Sequence, residues 1–174
     1  MSTKVITGKV RFSYCHVWEP EAMDENQEKK YSVQLLISKK DKKTVEAIKA
    51  AIEAAKEAGK SKFGGKIPAN LKTPLRDGDE ERPDEASYEG MYFINAKSTN
   101  KPGVIDRDKN EIMDRDEFYS GCHGRASINF YAFTGAQKGI ACALNNLQKL
   151  EDGERLDGRT SAEEDFADDY DDLM

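Results

Sequence analysis

The stretch YSVQLLISKKDKKTVEAIKAAIEAAKEAG, residues 31–59, sets two periodicities end to end. In its first eight residues Tyr31, Val33, Leu35 and Ile37 share one parity, the period-2 pattern of a strand with a face toward a core. Past Asp41 the spacing turns helical. Val45, Ile48, Ile52 and Ala55 form one apolar stripe, and lysines and glutamates occupy the opposite face. Asp41 supplies an N-cap oxygen and Gly59 a stop. A strand feeding one amphipathic helix leaves the fold class to be decided by what flanks it.

The flanks read as strands. Residues 4–18 (KVITGKVRFSYCHVW) alternate, with Ile6, Val10, Phe12, Tyr14 and Trp18 on one parity and Thr7, Lys9, Arg11 and Ser13 on the other. A bend is expected at Gly8 and an end at Glu19-Pro20. Further strands are expected at 91–98, at 103–106 and 111–113 around an Asp108-Lys109-Asn110 turn, and at 124–134. Residues 140–148 read as a last strand or short helix. Residues 60–90 hold three prolines and a Gly64-Gly65 pair without clear periodicity, the pattern of a functional or mobile connection. Five or six strands with one helix between the second and third predict a small twisted barrel rather than a parallel sheet.

Length and charge divide the chain. Its 174 residues suit one domain plus a tail. The net charge is −6, yet residues 151–174 hold eleven acids and two arginines. That leaves 25 bases against 22 acids in residues 1–150. A mildly basic body (1–150) thus precedes an acidic tail (151–174), which is expected to be disordered because it lacks the apolar surface to repay its ordering. This segregation points to an anionic ligand. No apolar run reaches membrane-span length, and MSTKVITGKV lacks a signal-peptide core, so no membrane role is expected. Three cysteines leave at least one unpaired, as in a reducing cytoplasm.

Chemistry-bearing motifs are few. Cys15-His16 and Cys122-His123 suggest zinc, but strand neighbours point to opposite faces and the spacing matches no common zinc module. No metal or cofactor is expected. Gly-Lys-Ser at 59–61 follows a helix instead of opening one and lacks the glycine that a phosphate loop needs at position 54. No catalytic constellation emerges.

What remains is basic residues interleaved with aromatics on strands: Lys9, Arg11 and Tyr14; Tyr92, Lys97, Lys101 and Arg107; Arg125 and Tyr131. Lys62, Lys66, Lys72 and Arg76 add charge from the long connection. Alternation puts Phe130 and Ala132 on one face and Tyr131 and Phe133 on the other. Unstacked bases bind by stacking on aromatic rings beside a basic groove.

In order, GKVRFSY…WEP, KYSVQLLISKKD, LKTPLRDGDE, EFYSGCHGRASINFYAF and GIACALNNLQKLEDGERLDG resemble the phage-encoded single-stranded DNA-binding proteins of the OB-fold type across nearly the whole chain. The resemblance implies a five-stranded barrel with an inserted helix and no catalytic residues. It also implies sequence-tolerant binding of single-stranded DNA and a role in replication or recombination in the host bacterial cytoplasm, as monomer or homodimer. Such a tail lies in the DNA groove when DNA is absent and, once freed, docks on replication proteins. Related tails often end in phenylalanine. Here Phe166, Asp168, Asp169, Tyr170, Asp171, Asp172, Leu173 and Met174 would form the docking segment, with Phe166 or Tyr170 as the hook. Two alternatives stand beside this: an acidic DNA mimic, whose acids should cover the body, and a metal-dependent nuclease using Asp106, Asp108, Asp114 or Asp116.

Overall fold

The computed structural model describes residues 2–22 and 25–156, so the acidic segment from Phe166 to Met174 lies outside the described residues. The strands are β1 (Lys4–Ile6), β2 (Val10–Glu21), β3 (Lys30–Ser38), β4 (Arg76–Asp77), β5 (Met91–Ser98), β6 (Gly103–Ile105), β7 (His123–Thr134) and β8 (Lys138–Glu151). The helices are α1 (Lys42–Ala58) and the single turn α2 (Gly78–Glu81), with 3₁₀ turns at Lys60–Phe63 and Ala86–Tyr88.

Five of these strands close on themselves in the order β2, β3, β5, β8, β7 and back to β2. All contacts in the ring are antiparallel except β5 with β8, which meet in parallel at Lys97 and Ala143. This is an OB-like barrel, as the alternation predicts. β1 extends the sheet beside β7, β6 beside β8, and β4 beside β5. Residues 140–148 are strand throughout, and residues 111–113 contribute only an isolated bridge from Glu111 to Ile105.

Inward-facing Phe12, Val33, Leu35, Ile37, Ile94, Ala96, Ile128, Phe130 and Leu144 fill the barrel, each nearly or wholly shut from solvent. α1 lays its predicted stripe of Val45, Ile48, Ile52 and Ala55 into the same core, against β7 and β1. Asp41 caps it, accepting the Thr44 amide at 3.2 Å. Gly59 ends it where a Cβ would fall 2.2 Å from that of Ala132. Only glycine lets the helix end sit that close to β7.

Two expectations need correction. β3 buries both faces, because Leu36 packs outward with Tyr88 and Phe93 in a second small cluster beneath the 76–90 segment. In β2 the expected parity breaks. Val17, not Trp18, is buried, and Tyr14 is exposed. The cause is a register shift between Ser13 and His16, with Tyr14 held at φ 47°. A period-2 reading carries no signal for one extra residue in a strand.

Candidate nucleic-acid interface

On the outer face of β5, side chains opposite the core-facing Ile94 and Ala96 are Asn95 and Lys97. The gap between this strand and β8 is crossed by residues 71–77, where Ile140 N donates to Lys72 O at 2.8 Å. Tyr131 and Phe133 reach the same place from β7, because alternation buries Phe130 and Ala132 and turns their neighbours outward. The result is a groove of about 830 Å³. Lys30, Lys72, Arg76 and Lys97 line it against one acid, Glu81, with Tyr131 and Phe133 as its aromatic wall and Asn95 and Asn145 as amides. Tyr131 is 43% exposed.

Glu81 is already committed. Arg76 grips both its carboxylate oxygens, Nε at 2.9 and 3.1 Å and a terminal nitrogen at 2.5 Å, and lies 5.0 Å over the Phe93 ring. That pairing raises the Arg76 pKa. The 76–90 segment is pinned at its start by Lys39, whose Nζ sits 2.7 Å from both Asp77 and Asp79. Hydrogen bonds from Lys39 hold both carboxyls below the usual range, and Lys39 is raised in turn. At its far end the buried Tyr88 hydroxyl donates to Gln34 Oε1, and Gln34 Nε2 donates to Asn95 Oδ1 at 3.0 Å.

A second cavity of about 440 Å³ lies on the other side of that divide. Tyr14, Trp18, Tyr88, Phe118 and Tyr119 supply its rings, with His16, Arg115 and Arg155 against Glu85 and Asp116. Lys101 stands 5.4 Å over Trp18, and Arg155 stands 4.3 Å over Tyr119.

The residues singled out in the sequence therefore separate. Lys72, Arg76, Lys97 and Tyr131 meet in the groove; Tyr14 lines the second cavity, with Lys101 near it. Lys9 pairs with Glu151 at 2.8 Å. Arg11 donates to the carbonyls of Gly121 and Glu154, and Arg125 to that of Thr7. Lys62 donates to Ala132 O beyond the end of α1, and Lys66 is exposed in the following loop. Tyr92 is half buried, with Lys39 and Lys49 over its ring, and Arg107 is exposed in the β6 turn. Sequence reading missed Lys30 and Phe133 in the groove, and Trp18, Tyr88 and Tyr119 in the second cavity. Phe133 was accessible as the i+2 neighbour of Tyr131; Tyr119 sits in a loop and Tyr88 in a single 3₁₀ turn, where no period-2 pattern applies.

The acids of the proposed nuclease serve turns. Asp106 Oδ1 accepts the amides of Asp108 and Asn110, and Asp114 Oδ1 accepts that of Asp116. Among the described residues no cluster of three His, Cys, Asp or Glu could hold a metal, and Cys15, Cys122 and Cys142 form no disulfide. No described helix is long and apolar enough to cross a membrane.

The family described as the Enterobacter phage Enc34 ssDNA-binding protein matches residues 3–174. The chain belongs to that family. The Enc34 single-stranded DNA-binding protein in complex with ssDNA superposes with a TM-score of 0.79 at 27% identity, over 88% of this chain and 89% of that one. A putative protein p50 of Acyrthosiphon pisum secondary endosymbiont phage 1 is 29% identical over 165 residues, 89% of this chain and 87% of the relative. The single-stranded DNA-binding protein gp2.5 of bacteriophage T7 shares the fold alone, with a TM-score of 0.64 at 15% identity over 97% and 95% of the two chains.

Proposed function

We propose that this member of the Enc34 family binds single-stranded DNA with little sequence preference, in the groove between β5, β8 and residues 71–77, and protects it during phage replication or recombination in the host cytoplasm. What supports this is the convergence of Lys30, Lys72, Arg76 and Lys97 with Tyr131 and Phe133 on one face of a closed barrel. The cations track phosphates while the rings offer stacking surfaces to any base. The solved Enc34 relative was captured with ssDNA, which agrees with this reading.

The acidic tail competes for the same cations and, once displaced, recruits replication or recombination proteins through Phe166 and Tyr170. Support comes from how residues 154–156 are held. Leu156 N donates to Ser120 O at 2.8 Å, and Arg155 and Leu156 line the second cavity. Gly121 makes that docking possible: at φ 119°, a Cβ there would fall 1.9 Å from Glu154 O.

Fluorescence anisotropy with a labelled oligonucleotide, repeated across salt concentrations, tests the binding. With three to four phosphates neutralised, the log–log slope should lie at roughly −2 to −3. A flat salt response, or degradation of the oligonucleotide with magnesium, overturns the reading.

A further inference from the structure

The second cavity has a composition unlike the groove's. Five rings line it, and its two arginines are matched in number by Glu85 and Asp116, so it suits a flat, uncharged, aromatic ligand better than a polyanion. Tyr14 is the unusual member. A tyrosine at φ 47° occupies a backbone region that L side chains rarely adopt, and the ring is not repaid by burial, being 59% exposed. The register shift after Ser13 is what turns this ring outward over the cavity.

The cavity and the groove lie on one face in one row of the sheet. Ser13 pairs with Gln34 and Gln34 with Asn95 across β2, β3 and β5. Ser13 lines the cavity and Asn95 the groove, two strand spacings or about 10 Å apart. Gln34 and Tyr88, bonded to each other, stand between them.

We propose that this cavity is a second nucleobase subsite, in which Tyr14 stacks on a base of the same strand that occupies the groove. The ligand class is an unpaired nucleobase, and the proposal rests on the ssDNA reading of the groove. Oligonucleotides long enough to span both sites gain a stacked base; shorter ones fill the groove alone. The gain should be roughly 5- to 150-fold in affinity, the range for one stacked base.

The chain carries its own reporter. Trp18 is its single tryptophan and lines this cavity. Homopolymeric dT oligonucleotides of roughly 4 to 16 nucleotides would be titrated into the full-length protein, following anisotropy for binding and tryptophan emission for the cavity. The expected result is binding by short oligonucleotides without a change in Trp18 emission, then quenching together with the affinity gain above a threshold length. Tyr14→Gly, which suits the local φ, should abolish the gain, and Tyr14→Phe should keep it. Binding at every length with Trp18 unchanged overturns the subsite, as does quenching already complete with the shortest oligonucleotide bound. Quenching by a synthetic 163–174 peptide but not by DNA assigns the cavity to the tail instead and likewise overturns it. Absence of any anisotropy change is a different result: it removes the groove reading itself.

Discussion

Arg125 donates its Nε to the Thr7 carbonyl at 2.8 Å, and Thr7 answers by exchanging backbone and hydroxyl bonds with Ala126. Thr7 is wholly buried at the break between β1 and β2, so this arginine closes a seam of the barrel. Arg125→Ala is therefore expected to destabilise by about 1 kcal/mol, the ordinary net worth of such a bond. That lowers the melting temperature by roughly 2–4 °C in a chain of this size. Lys97→Ala, exposed in the groove, should leave melting unchanged and weaken ssDNA binding. Thermal melts and anisotropy on both variants separate the roles; the reverse pattern would refute them.

Charge and stacking in the groove should separate by salt dependence. Lys97→Ala or Lys72→Ala removes one phosphate contact, which reduces the slope of log affinity against log salt by about 0.7. Tyr131→Ala removes a ring, costing roughly 1–3 kcal/mol of binding with the slope unchanged. Arg76→Ala should behave differently again. It strands Glu81 in the groove and uncovers Phe93, so its loss of affinity should exceed that of either lysine variant. Equal slopes for the lysine and tyrosine variants would remove the lysines from the phosphate path.

Barrel and helix were legible because burial is periodic. The stripe Val45, Ile48, Ile52, Ala55 and the pair Phe130, Ala132 face the core as their spacing dictates. Charged candidates were less legible, since the same residue type serves two ends. Lys97 and Arg125 both stand on predicted strands beside aromatics, yet one lines the groove and the other bonds a carbonyl 118 residues away in sequence. Tyr14 shows a third limit. Its exposure follows from a one-residue register shift, which leaves composition and spacing untouched.

His123 predicts a pH dependence of stability. Its Nδ1 is shut from solvent without a hydrogen-bond partner, 4.0 Å from Glu151. Desolvation lowers its pKa below 6.5, helped by Arg11 and to a lesser degree Lys9, against the opposing pull of Glu151. The unfolded chain then binds a proton at a pH where the folded chain does not. Stability is full above about 6.5 and falls as pH drops from there toward the lower folded value. Urea midpoints across that window should decline for the natural protein and less so for His123→Gln. Identical declines would assign the effect to other groups.

The tail carries the last expectation. Residues 163–174 hold seven acids and no base, so deleting them takes the net charge from −6 to +1. The 18 residues after Leu156 have a contour of at most about 60 Å, long enough to reach either cavity from Leu156. Covalent attachment holds such a segment at roughly millimolar effective concentration, so even a weak contact competes. Deletion should therefore raise ssDNA affinity, most at low salt, where the Debye length approaches about 30 Å. The gain should shrink as salt rises. Net charge alone would give part of this result, so a second measurement is needed. Synthetic 163–174 peptide, titrated into tail-deleted protein bound to ssDNA, should displace the DNA at millimolar peptide and low salt. A scrambled peptide of the same charge separates the apolar hooks from simple electrostatics: if Phe166 and Tyr170 contribute by position, the natural order displaces DNA at lower concentration. No displacement by either peptide would leave the tail a solubilising appendage and withdraw the competition.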